Sequence, residues 1–181
     1  MSYPGANPAA AEPEVAGDAN APSTSTPIST RRKTALAAIE SYNSKWDLKN
    51  MVSWRAPECI HEILPTSLKV PAMDNKSYEA YFANNLAVFS NFRVTVNDIV
   101  EDAAANKVVV WARSTADTAI GPYANEYMLI FHFTPAGDKV TRFLEWVDSA
   151  AAVAFFPRLR LYLEKKAADE AAGVVDHGVI R

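Results

Sequence analysis

From Asn91 onward the chain reads as β-patterned stretches in succession, and all the helical patterns but one lie before them. Helices segregated from a run of strands argue for an α+β domain built on an antiparallel meander. Phe92 to Val100 and Lys107 to Thr115 are rich in branched residues and flank the polar turn Glu101 to Asn106. Ile120-Gly121-Pro122 marks a bend before the long stretch Tyr123 to Thr134. Pro135-Ala136-Gly137-Asp138 then supplies a hairpin turn, and Lys139 to Asp148 returns.

Three helical patterns precede the meander. Ser29 or Thr30 can cap the first, in which Leu36, Ile39, Tyr42 and Trp46 form one apolar stripe. Asp47 can cap a short second helix, Leu48 to Trp54, stopped at Ala56-Pro57. Cys59 to Leu64 reads as a strand ended by Pro65. Asp74 or Asn75 caps a third helix whose Tyr78, Phe82, Leu86 and Phe89 share a face. A last helix starts near Ser149, is expected to break at Pro157, and resumes from Arg158 towards Gly173. A curved sheet closed over by three early helices makes a cone with one open mouth. A pocket is expected where helices and sheet diverge.

The flanks differ in composition, which divides the chain into a tail over 1–29, a domain over 30–162, and a helical extension with tail over 163–181. The first segment carries Pro4, Pro8, Pro13, Pro22 and Pro27 and the run Ser23-Thr24-Ser25-Thr26, with too little large apolar surface to order itself. It also holds Glu12, Glu14 and Asp18 and no Lys or Arg, so the formal charge of −3 belongs to the tail. The balanced remainder excludes a strongly basic nucleic-acid surface. A single cysteine, Cys59, excludes a disulfide framework and a multi-cysteine zinc site. His61-Glu62-Ile63-Leu64-Pro65 starts like a zinc-protease helix but ends in proline without a second histidine. Between residues 30 and 162 the only glycines are Gly121 and Gly137, which leaves no glycine-rich phosphate cradle. Neither a signal-peptide block nor a basic transit leader is visible. The longest apolar stretch, Ala150 to Phe156, falls far short of the roughly 20 residues that span a bilayer. A cytoplasmic protein without membrane or nucleic-acid partners is the expectation.

Strand alternation then sorts the polar residues. Tyr123, Asn125, Tyr127, Leu129, Phe131 and Phe133 share one face of the long strand. On the returning strand Glu145 shares parity with Phe143 and Val147. If that face is inward, apolar neighbours disfavour the charged carboxylate and suit it to proton transfer; if it is outward, Glu145 is a solvated or salt-bridged residue. Arg55, beside Trp54 and Pro57, has a planar fork that can hold a carbonyl or developing oxyanion, or can satisfy helix-end carbonyls or pair with Glu58. His61 shares parity with Cys59 and Ile63, either as a proton shuttle or as a core histidine.

Four segments carry a resemblance: Arg55-Ala-Pro-Glu-Cys-Ile-His61, Leu64-Pro-Thr-Ser-Leu68, Gly121-Pro-Tyr-Ala-Asn-Glu-Tyr127 and Thr141-Arg-Phe-Leu-Glu-Trp-Val-Asp148. Over about residues 30 to 162 the chain resembles fungal SnoaL-like proteins of the nuclear-transport-factor-2-like (NTF2-like) superfamily. The resemblance implies the helix-lined cone inferred above. Fungal semipinacolases in that group use an Arg, two Tyr and a Glu in one pocket, and Arg55, Tyr123, Tyr127 and Glu145 match that set in order and approximate spacing. The pattern of scytalone dehydratase and the Asp base of ketosteroid isomerase are not evident.

The resemblance implies a cofactor-independent tailoring enzyme that isomerises, cyclises or dehydrates a small hydrophobic secondary metabolite. Arg55, Tyr127 and Glu145 would be catalytic. Trp54, His61, Tyr123, Asn125, Phe131 and Phe143 would line the substrate, with no metal. The rival expectation is a non-enzymatic small-molecule carrier or a homodimeric interaction module of the same fold, for which the sheet exterior (Met128, Ile130, Trp146) would matter more.

Overall fold

A computed structural model describes residues 27–44, 48–86 and 88–172. The expectations for the N-terminal tail, for Trp46, for the Asp47 cap and for residues beyond 172 lie outside these, as does that for the Leu86 side chain. Ser29 caps α1 (Thr30–Asn43) by accepting from the Arg32 backbone N–H, and Ala35, Ala38 and Ile39 are buried along its inner stripe. α2 (Leu48–Ser53) is short. Asp74 caps α3 (Asn75–Leu86) through the Ser77 N–H at 2.8 Å.

The strands are β1 (Arg55–Leu64), β2 (Phe89–Asp102), β3 (Lys107–Thr118), β4 (Tyr123–Phe133) and β5 (Val140–Val147). They form one sheet in the order β1-β5-β4-β3-β2. The last four are the antiparallel meander, whereas β1 lies parallel to β5 at the sheet edge. Helices on one face of this curved sheet give the expected α+β cone.

Two expectations need correction. β1 begins at Arg55 rather than Cys59, and it runs through Pro57 instead of being preceded by a proline stop. Pro57 falls where the register with β5 breaks between Arg55 and Ile60, so no ladder hydrogen bond is lost to it. In addition α4 (Ser149–Ala171) runs unbroken through Pro157 and past residue 162. Phe155 and Leu159, buried on either side of the proline with Ala116 and Tyr123, anchor both turns. Packing here outweighs the one missing donor.

α4 packs near the mouth of the cone and leaves the outer sheet face uncovered. There Trp146, Met128 and Trp111 sit side by side on three adjacent strands, each roughly half exposed. The polar groups around them are already paired: Trp111 Nε1 donates to Glu126 at 2.5 Å, and Arg142 Nε meets Glu62 at 2.7 Å.

Candidate active site

The β4 alternation puts all six of its odd-numbered residues on the buried, concave face. Ladder register sets Glu145 between Leu129 of β4 and Ile63 of β1, so this carboxylate stands in the middle of that face. A cavity of about 730 Å³, counting the space at its open mouth, lies above it. Ile39, Tyr42, Tyr81 and Phe82 close it from α1 and α3. Phe143, Tyr123, Tyr127 and Glu145 form the sheet side.

Glu145 is held from below. Its Oε2 lies 2.9 Å from Nε2 of His61, a fully buried ring stacked on Phe143 and edge-on to Tyr78. Nδ1 of the same ring is buried without a hydrogen-bond partner. A proton on Nδ1 would be a stranded donor, which is costly. The economical arrangement therefore has Nε2–H donating to the carboxylate. Glu145 is then an acceptor beside the cavity.

Two phenol groups flank it. Tyr127 bonds the Ser114 hydroxyl at 2.8 Å and the Tyr123 hydroxyl at 2.9 Å. Burial first, then electrostatic coupling to the Tyr123 phenol and the Glu145 carboxylate, pushes the Tyr127 phenol far above its ordinary value. Burial likewise raises Tyr123. Both stay protonated at neutral pH and serve as hydrogen-bond donors, not bases. On the helical side, Tyr42 and Tyr78 share a short hydroxyl–hydroxyl hydrogen bond, and burial raises both phenols.

Arg55 lies behind Tyr78. Its guanidinium carbon stands 4.1 Å from the centre of that ring and 5.4 Å from the Trp54 ring, and Nε donates to Asn75 Oδ1 at 2.6 Å. Both terminal nitrogens are buried with no hydrogen-bond partner. The Cys59 thiol is pushed up to about 11 by burial, against the opposing pull of Arg55.

The expected set is thus only partly gathered. Tyr123, Tyr127, Phe143 and Glu145 line the cavity, His61 supports Glu145, and Arg55 stands one ring away. Trp54 and Phe131 do not line it and pack as core against Phe143. Asn125 does not line it either: its Oδ1 accepts from the Glu126 and Asp148 N–H groups at 2.7 and 3.1 Å, a clamp between β4 and the start of α4. Tyr42, Tyr78, Ser114 and Asn75 were not singled out from sequence. The two tyrosines read only as apolar stripe positions, and Ser114 carried no signal beyond strand parity. Among the described residues no cluster of His, Cys, Asp and Glu could hold a metal ion.

No protein-family model matches the chain. It is 35% identical over 133 residues to core atranone cluster protein 11 of Stachybotrys chlorohalonatus, covering 74% of this chain and 98% of that protein. It is 30% identical over 138 residues to the monooxygenase AacuP of Aspergillus aculeatus, covering 76% and 94%. Among solved structures, the BvnE pinacolase of Penicillium brevicompactum superposes with a TM-score of 0.70 at 27% identity, over 74% of this chain and 96% of that one.

Proposed function

Because the chain belongs to the fungal SnoaL-like proteins of the NTF2-like superfamily, we propose that it is a secondary-metabolite tailoring enzyme that works by acid–base catalysis in the cone. The substrate is a small hydrophobic molecule bearing a carbonyl or hydroxyl group, and the reaction is an isomerisation, cyclisation or dehydration. Glu145 takes the proton, with His61 holding its carboxylate in place. Tyr123 and Tyr127 present phenolic donors to a substrate oxygen as charge develops there. Phe143, Leu129, Ile63 and Phe82 supply the apolar wall that excludes water. One observation carries this reading: Glu145 reaches the cavity from the same wall as two protonated phenols, with its other side hydrogen-bonded to a buried imidazole.

The test is conversion of a panel of apolar hydroxy-ketones, enones and tertiary alcohols by the purified chain, followed by mass spectrometry. Products equal in mass to the substrate, or lighter by one water, and lost in Glu145→Gln, are expected. Binding without conversion, indifferent to that substitution, would support the carrier instead. Similarity to the monooxygenase AacuP favours a second reading, oxygen-dependent hydroxylation. Labelled dioxygen in the product, with no anaerobic turnover, would establish it.

We also propose that two copies of the chain pair through the Trp111–Met128–Trp146 face. Beside it Arg142 and Glu62 neutralise one another and Glu126 is held by the Trp111 indole, which leaves the apolar side chains as the face a second copy would cover.

A further inference from the structure

Among the described residues no carboxylate makes an ion pair with Arg55, a buried cation. Its residue is 4% exposed, Nε is spent on the neutral Asn75 amide, and both terminal nitrogens lack a hydrogen bond. A positive charge in this state is poorly screened by water, so its field reaches the groups around it, the Asp74 carboxylate among them. The nearest is the Tyr78 ring at 4.1 Å. A cation on the face of a phenol makes its O–H a stronger donor, and the hydroxyl next to it belongs to Tyr42. Tyr78 is fully buried, whereas Tyr42 lines the cavity. A hydrogen bond from Tyr78 to Tyr42 polarises the Tyr42 hydroxyl in turn, as consecutive bonds in a chain reinforce one another. The sheet side has a comparable chain, in which Ser114 stands behind the cavity-lining pair Tyr127 and Tyr123. Burial and the Glu145 charge raise both helix-side phenols; at Tyr42 the Tyr78 hydrogen bond is the larger opposing effect, with Arg55 adding to it.

We propose that Tyr42 is a further catalytic residue, a hydrogen-bond donor to a substrate oxygen, with Tyr78 and Arg55 as positioning residues that carry positive potential to it. This places Arg55 one step back from the oxygen it was expected to hold directly. The inference rests on the cavity being a substrate site. It adds that the site favours a ligand oxygen that becomes negative at the Tyr42 hydroxyl, on the α1 side of the cavity.

The probe is 2-naphthol, an apolar phenol whose absorption spectrum distinguishes its neutral and ionised forms. Bound to the full chain, it is expected to show a higher naphtholate-to-naphthol ratio than in water at the same pH. Tyr42→Phe should lower that ratio by about tenfold while changing the dissociation constant of neutral naphthol by less than threefold. Tyr78→Phe should lower the ratio by less, and the double variant no further than Tyr42→Phe, because the two hydroxyls act in series. A merely structural tyrosine would alter affinity or melting without moving the ratio. An unchanged ratio in a folded Tyr42→Phe protein overturns the inference alone. A probe that binds no form of the chain overturns the reading of the cavity, and the inference with it.

Discussion

At the scale of single residues, the site turns on one contact between side chains 84 positions apart, His61 to Glu145. Replacing Glu145 by Gln keeps the shape and removes the proton-accepting carboxylate, and is expected to lower kcat by about 100-fold or more with little change in melting temperature. His61→Phe preserves the stack on Phe143 while removing the donor. It should lower kcat by roughly tenfold or more and leave KM nearly unchanged, since the ring touches Glu145 and does not line the cavity. Steady-state rates on any converted substrate decide both, and a His61→Phe enzyme with full turnover would remove the imidazole from the mechanism. Parity grouped each residue with apolar neighbours, His61 with Cys59 and Glu145 with Phe143, but left open which face of the returning strand turned inward. Their meeting was not legible, because it depends on which strand lies beside β1. Nor could the sequence separate Tyr42 and Tyr78 from ordinary core tyrosines, since a helical stripe looks the same whether its hydroxyls meet each other or water.

Among elements, the start of α1 is fastened at two points. Ser29 and Arg31 hold Glu101 of β2 at 2.6 and 3.0 Å, and Thr34 donates to the Gly137 carbonyl in the β4–β5 turn at 2.9 Å. The Ser29 hydrogen bond first, then Arg31, holds the Glu101 carboxyl below its ordinary value. A depressed carboxyl stabilises the fold above its unfolded value, and that contribution fades as pH falls through the folded one. Glu101→Gln is therefore expected to melt earlier than the parent at pH 7, with the gap closing below about pH 4. A gap of equal size at pH 3 would show that the carboxylate's charge contributes nothing. Gly137 has φ +78°, and a Cβ there would stand 2.7 Å from Arg31 Cγ. Gly137→Ala should cost about 1–2 kcal/mol from backbone strain alone, and more if Arg31 is displaced from Glu101. Denaturant unfolding measures it. Turn chemistry made this hairpin legible from sequence. The Pro157 break was expected and did not occur, because packing of Phe155 and Leu159 overrides a local preference that sequence alone displays.

For the molecule as a whole, segregation of helices and strands was enough to anticipate the cone, since it depends only on element order and alternation. The parallel placement of β1 was not anticipated, as nothing local distinguishes a parallel edge strand from an antiparallel one. The outer face is where a whole-molecule prediction belongs. A chain that pairs through Trp146, Met128 and Trp111 should elute and scatter as a dimer. Trp146→Lys combined with Met128→Lys should shift it to monomer without loss of fold. A parent protein that is monomeric at tens of micromolar would dismiss the pairing.

The seam between β1 and β5 also fixes when the chain can first do chemistry. His61 is synthesised early and Glu145 late, and the edge strand has β5 as its neighbour in the sheet. A nascent or clipped polypeptide ending before Val140 holds the imidazole and every phenol discussed here, yet lacks the carboxylate and the strand that would seat it. On the proposed mechanism, acid–base competence therefore arrives only with the final strand.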